Sequence, residues 1–263
     1  ACRVTKREKV ALADTVSPAY SAVIHTYCQS QDIAVEVVSP TNAILDNETA
    51  CLVLQYPNYF GSIEDMQGLI DLAHSNGGLA VVSTDPTAMG MFQTPGHYGA
   101  DIVTGDGQPL GIPSSYGGPY VGLFATKQEY IRQMPSRLSG RTVDKNGKTG
   151  YVLTLQTREQ HIRRERATSN ICTNEALYAL ASTIYLAAMG KQGLRQVAEL
   201  CYHKSHYAAT KIAELPGYSL PIDSPFFQEF VIQCPISPAN INKKLMDRNI
   251  LGCLLYTSDA ADE

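Results

Sequence analysis

Short apolar segments with turn or helix signals between them recur through the first half of this chain, and they restrict the fold more than any other feature. They read KVALA at Lys9–Ala13, IAVEVV at 33–38, CLVLQY at 51–56, LAVVS at 79–83, a shorter piece at 101–104 and YVGLFA at 120–125. Their β-branched and aromatic content marks them as strands, and most are too continuously apolar to leave one face in water. Between them lie helix signals. Ser17 and Pro18 form an N-cap and first-turn pair ahead of an amphipathic run to Gln31. Ser62-Ile63-Glu64-Asp65 opens a helix through His74, with acids in its first turn, that closes at Gly77-Gly78. Such a pattern calls for an α/β fold: a mixed, mostly parallel sheet covered by helices on both faces. Sheets of this kind place ligands at the carboxyl ends of their strands. Here those ends carry residues 57–61, 85–87 and 105–108.

Past Lys127 the character changes. Residues 128–134 read as a short helix and 136–148, polar and glycine-containing, as a surface loop. Thr173 caps a helix that stops at Gly190, and a second helix runs from about Gly193 to Glu214. Residues 226–233 (FFQEFVIQ) read as a strand, and Ser237-Pro238 starts a helix to about Asn249. Residues 1–215 are therefore expected to form a large domain and 216–252 the beginning of a smaller C-terminal α/β domain. Residues 253–263, CLLYTSDAADE, resemble a translated sequencing-library adapter and are expected to be a non-native tail. The natural sequence is expected to stop near Gly252, with the fragment cut at both ends and its large domain truncated at the N-terminus.

Charge is unevenly distributed. From Val10 to Thr126 there are eleven Asp or Glu and no Lys or Arg, whereas Lys127 to Leu215 holds fourteen basic and seven acidic residues. An acidic first half argues against nucleic acid, which needs clustered cations for its phosphates. No apolar run reaches the length of a membrane span. Seven scattered cysteines without a C-x-x-C suggest a reducing compartment and small buried thiols rather than a disulfide scaffold.

Local motifs narrow the chemistry. Gly105-x-Gly107-x-x-x-Gly111 is neither a dinucleotide fingerprint nor a phosphate loop, so a nicotinamide dehydrogenase is disfavoured. Tyr116-Gly117-Gly118-Pro119 reads first as a tight turn and second as a ligand-facing loop. Cys201, His203 and His206 have near-helical spacing but no fourth ligand nearby, so no metal is expected. The densest charged run is Arg158 to Arg166, readable as a solvated helix with the Glu159–Arg163 pair or as an anion-facing segment. Thr168-Ser169-Asn170 follows, offering hydroxyl and amide groups before a helix N-terminus, a phosphate perch.

Three strings, YPNYFGSIED, GDGQPLGIPSSYGGPYVG and GYVLTLQTREQHIRRERATSNICTNEAL, together resemble the P-protein family of the glycine cleavage system. They match its N-terminal half, a separate subunit in many bacteria and archaea, from about Ala1 to Gly252. The resemblance implies a fold type I pyridoxal-phosphate transferase architecture with a seven-stranded mixed sheet. It implies an enzyme that decarboxylates glycine through pyridoxal 5'-phosphate and passes the aminomethyl group to the lipoyl arm of H protein. It also implies a site at an interface between two halves. In the catalytic half, a loop resembling D-x-x-x-x-x-x-H-K holds the Schiff-base lysine. Here Gln108-Pro109 stands where His-Lys would, and no lysine occurs from Val10 to Thr126. The chain is thus expected to have no catalytic residue of its own, the cofactor being bound covalently by the lysine-bearing subunit 2 or C-terminal half. Asp85, at the position that pairs with the pyridine nitrogen, reads as a relic. Thr168 and Ser169 are expected to reach the partner's cofactor phosphate. Asn58, Tyr59, Arg163, Arg164 and Asn170 are weaker candidates for the shared cleft.

Two readings compete with an enzyme subunit. One is a degenerate pseudoenzyme that only supports or regulates a partner. The other is an independent pyridoxal-phosphate enzyme, which the lysine gap opposes. A cytoplasmic location in a bacterium or archaeon is expected, and poor solubility in isolation, because absent N-terminal residues would uncover apolar surface.

Overall fold

A computed structural model describes residues 1–135, 138–155, 160–167 and 175–252. A short helix α1 (Cys2–Thr5) precedes strand β1 (Lys9–Ala13), helix α2 (Pro18–Gln29), β2 (Ala34–Val38) and β3 (Thr49–Tyr56). Helix α3 (Met66–Ser75), β4 (Leu79–Thr84), β5 (Ile102–Asp106) and β6 (Gly122–Thr126) follow. The hairpin β7 (Leu138–Val143) and β8 (Thr149–Thr154), a single turn α4 (Gln160–Arg163), the long α5 (Ala176–Ala213) and α6 (Pro238–Met246) complete the described elements.

The main sheet runs β2-β1-β3-β4-β5-β6. Its first five strands are parallel and β6 is antiparallel to β5. The mixed, mostly parallel sheet is the one the apolar runs imply, although six strands are present among the described residues where the family resemblance implies seven. The chain moves outward from β1 to β2 and then returns past β1 to β3. That reversal of direction opens a crevice at the carboxyl ends of the strands.

Neighbouring residues on a strand face opposite sides, so Cys51 and Leu52 divide the core into two layers. On one side α3 lays Met66, Leu69, Ile70 and Ala73 into a cluster with Leu52, Leu54, Ala80 and Val82. On the other, Val10, Cys51 and Leu79 gather Cys2, Val4, Cys28 and Ile33. Cys51 is buried with its thiol pushed up to about 12 by desolvation, in keeping with its reading as a small core residue. At the amino ends of the strands, buried Asp101 accepts from the Ala80 amide at 2.7 Å, pairs with His74 Nε2 at 2.7 Å and with Lys127 Nζ at 2.5 Å. This network ties α3, β4, β5 and the end of β6 together, and it uses the first lysine after the gap.

Several expectations need correction. Helix α3 starts four residues later than its acidic signal suggested, because Ser62 and Ile63 are held elsewhere: the Ser62 amide donates to Asn58 Oδ1 and the Ile63 amide to the Pro225 carbonyl. Asp65 is the cap instead, accepting from the Gly68 amide at 3.1 Å. The expected surface loop at 136–148 holds β7 and the turn of the β7–β8 hairpin, made at Asp144 to Lys148 with Gly147 at φ +77° and Asp144 Oδ1 accepting from the Asn146 and Lys148 amides. The Asn146-Gly147 pair is the hairpin signal that composition masked. Residues 226–233 form no strand: only the isolated bridges Ser62–Phe226 and Ser219–Gln233 occur, because this segment spends its backbone on loops rather than on a neighbouring strand. The two expected helices, by contrast, are both present: α5 is two helices joined across a kink at Gly190, whose φ of +59° and ψ of −178° break the helix where the sequence reading put a stop. Thr173 and the tail at 253–263 lie outside the described residues. Apolar side chains are exposed on α2 (Val23, Tyr27) and α5 (Leu177, Leu180, Ile184).

Candidate functional site

The crevice at the strand ends is a cleft of about 270 Å³. Four elements build it. Tyr20 comes from α2, Gln55 and Pro57 from the end of β3, Asp85 and Pro86 from the end of β4, and Asp106, Gln108 and Pro109 from the end of β5. A fifth wall arrives from far along the chain, as Phe227, Gln228 and Glu229. The structure therefore brings Asp85, Gln108 and Pro109 into one cleft, as the sequence reading required.

Each side chain is placed by local necessity. Asp85 follows β4 directly, where Thr84 Oγ1 donates to the Tyr56 carbonyl at 2.8 Å. One Asp85 oxygen accepts from the Thr87 amide at 2.8 Å, an Asx turn that opens the short helical turn Ala88–Gly90. The other accepts from Gln228 Nε2 at 2.8 Å. After β5 the chain must turn tightly. The Gln108 amide donates to Asp106 Oδ1 and its side-chain amide to the Ile112 carbonyl at 2.7 Å. Glycines permit this crowding: a Cβ at Gly105 would sit 2.6 Å from the Thr84 carbonyl oxygen, and one at Gly107 2.5 Å from a Val121 methyl. The glycines of GDGQPLG thus serve close packing. Tyr120 follows the Gly117-Gly118 turn and also lines the cleft, its hydroxyl donating to the Ser114 carbonyl.

The electrostatics of the cleft are one-signed. Asp85, Asp106 and Glu229 contribute carboxylates, and among the described residues no Lys or Arg lines it. Burial raises the Asp85 carboxyl above its ordinary range against the hydrogen bonds from Thr87. Desolvation, then the nearby Asp85 charge, raises Glu229. Burial and the same three acids raise the Tyr20 phenol. Pyridoxal phosphate needs an amine for its aldehyde and donors for its phosphate. Proline at 109 and three carboxylates, one of them the pyridine-type Asp85 already engaged by Gln228, do not fit that cofactor.

Asn58 is buried and its side chain is used within its own loop, donating to Glu64 Oε1 at 2.9 Å and accepting from the Phe60 and Ser62 amides. Tyr59 packs its ring against Phe60, 5.4 Å between centroids, and its amide donates to the Thr15 carbonyl. Arg163 and Arg164 are exposed, Arg164 at φ +51°. None of these four lines this cleft. Thr168, Ser169 and Asn170 lie outside the described residues. His206, weighed above as a metal ligand, instead stacks on Phe226 at 3.9 Å and meets its carbonyl through Nε2 at 3.1 Å. Sequence reasoning missed Gln228 and Glu229. Their one signal is a polar pair, QE, flanked by phenylalanines on both sides. A second, larger cleft of about 880 Å³ lies between the Met89–Met91 turn and α5 near its Gly190 break, with Lys191 and Arg195 among its lining. Among the described residues no helix is long and apolar enough to cross a membrane.

Comparison with known proteins gives consistent findings. The family described as "Glycine cleavage system P-protein" matches residues 1–260. A probable glycine dehydrogenase (decarboxylating) subunit 1 of Thermomicrobium roseum is 53% identical, the match covering 94% of this chain and 58% of the relative. A crystal structure of glycine decarboxylase (P-protein) of the glycine cleavage system, in inhibitor-bound form, superposes with a TM-score of 0.93 at 38% identity, over 98% of this chain and 60% of that one. The C-DES protein with glycine covalently linked to its PLP cofactor superposes at 0.61 with 15% identity, over 93% of this chain and 66% of that one, a likeness of fold alone. The chain spans somewhat under two thirds of the length of these relatives.

Proposed function

We propose a function from one premise: the chain belongs to the glycine cleavage system P-protein family. It is the half of glycine decarboxylase that lacks the Schiff-base lysine, and it works with a lysine-bearing subunit 2 or C-terminal half. The assembled enzyme releases carbon dioxide from glycine and hands the aminomethyl group to the lipoyl arm of H protein. Pyridoxal phosphate, bound covalently by the partner half, supplies the electron sink for that reaction. No step runs through a cofactor in this chain's own cleft. Bacterial relatives of the same subunit support a cytoplasmic setting.

The observation that carries this reading is the substitution at the end of β5. Gln108 and Pro109 face the same cleft as Asp85, in a fold whose catalytic members place a lysine on that loop. The cleft keeps its shape and has lost its chemistry, so this half serves the partner's site. Its contribution is positional. Thr168 and Ser169, after the basic run, offer short donors to the partner's cofactor phosphate, with Asn170, Arg163, Arg164, Asn58 and Tyr59 as weaker candidates for the shared cleft.

The test is the Thr168→Ala, Ser169→Ala double variant of the full-length protein, assembled with the lysine-bearing partner. Loss of two donors to a dianionic phosphate predicts a cofactor affinity weaker by on the order of tenfold or more. Unchanged affinity with unchanged turnover would remove the role in trans. Altered assembly with unchanged turnover per complex would favour a purely structural partner.

A further inference from the structure

We infer that a strap of the chain's own residues 225–229 walls this cleft and keeps pyridoxal phosphate from its carboxylate, with Gln228 seated on Asp85. The inference goes beyond the missing lysine: even with an amine restored, Asp85 stays engaged by Gln228 until the strap is changed.

The strap is anchored where it begins and at its middle. The Ile63 amide donates to the Pro225 carbonyl at 2.8 Å, and the Phe227 amide to the Gly61 carbonyl at 3.2 Å. Ser224 Oγ meets Ser62 Oγ at 2.7 Å. From α5, Ser205 Oγ donates to the Phe227 carbonyl at 2.9 Å. Phe227 is buried in a cluster with Ala88 and Ala198, its ring edge-on to Phe92 at 5.6 Å. Gly61, at φ +83°, leaves space for the strap, because a Cβ there would overlap the Glu229 carbonyl oxygen. These contacts press Gln228 and Glu229 against the strand ends. There the Gln228 side-chain amide satisfies the Asp85 oxygen that the Thr87 turn leaves open. A hydrogen-bond donor from the protein thus takes the carboxylate that a pyridinium would need, and Glu229 adds a further carboxyl to the same cleft.

The experiment uses the full-length protein carrying Pro109→Lys, alone and combined with Gln228→Ala and Glu229→Gln. Each is incubated with pyridoxal phosphate, treated with borohydride and digested, and the peptide spanning position 109 is examined for the adduct. The lysine amine adds to the aldehyde carbon, water leaves, and hydride from borohydride reduces the carbon–nitrogen double bond to a stable secondary amine. The single variant should show little adduct at position 109. The triple variant should show on the order of tenfold more, the factor one hydrogen bond to a carboxylate is worth. Equal labelling of the two variants, high or low, would overturn the inference. Should lysine at 109 unfold the loop, Gln228→Ala with Glu229→Gln is compared with wild type for binding of pyridoxamine phosphate, which needs no covalent bond. Binding only by the variant supports the strap as the obstacle, and any other pairing overturns it. Adduct formation at position 109 does not depend on turnover, so a failed decarboxylation assay counts against the proposed function alone.

Discussion

Replacing Asp101 by alanine should weaken the sheet far more than its single carboxylate suggests. Asp101 is 2% exposed and serves three donors: the Ala80 amide, His74 and Lys127. The Ala80 amide is fully buried, so leaving it without an acceptor costs about 1–3 kcal/mol. His74 and Lys127 are 35% and 37% exposed and can turn to water, so each loses only the surface value of about 0–1 kcal/mol. The sum is about 3 kcal/mol, and Asp101→Asn, which keeps one oxygen for the amide, should cost about half of it. Urea midpoints of the full-length protein measure the change, and hydrogen exchange at the amides of β4 and β5 locates it. The pH dependence follows with a definite sign. Burial raises the Asp101 carboxyl, but hydrogen bonds from Lys127, Ala80 and His74 outweigh it and hold the carboxyl below its ordinary value. Its stabilisation is therefore full above the unfolded value, roughly 4, and fades as pH falls through the lower folded value. An alanine variant within about 0.5 kcal/mol of wild type, or one with an unaltered acid limb, would refute this reasoning.

Other outcomes follow from the cleft and the core. Gly61→Ala should destabilise by about 2–4 kcal/mol, seen as a lower unfolding midpoint, because it combines a left-handed backbone with overlap on the strap. Glu229→Gln should raise stability slightly at neutral pH and not at acid pH: a carboxyl whose folded value is raised loses stability as pH climbs through that value, and glutamine removes the penalty. Cys51 should resist alkylation in the native protein and react only after unfolding, since its thiol is buried and raised to about 12.

The sheet was legible because strands buried on both faces leave near-continuous apolar strings, and KVALA and LAVVS coincide closely with β1 and β4. The Gly190 break was legible for a different reason, since the residue adopts a backbone that side chains disfavour. Residues 226–233 misled because phenylalanine, valine and isoleucine favour strands, whereas here Phe227 is an anchor and the backbone bonds go to Gly61 and Ser219. Local composition carries no record of a partner more than 140 residues away, which is why the Gln228–Asp85 contact escaped the sequence reading. The loss of lysine was legible because it is a matter of residue identity. The blocked carboxylate is a matter of geometry and required the fold.

The most direct measurement is glycine-dependent carbon dioxide release by the full-length protein, assayed alone and then mixed with a lysine-bearing P-protein partner, with the cofactor adduct mapped by peptide. The account predicts that glycine is decarboxylated only when a lysine-bearing half is present, and that no adduct falls within this chain's cleft. Turnover without such a half, or an adduct within residues 1–252, would contradict it.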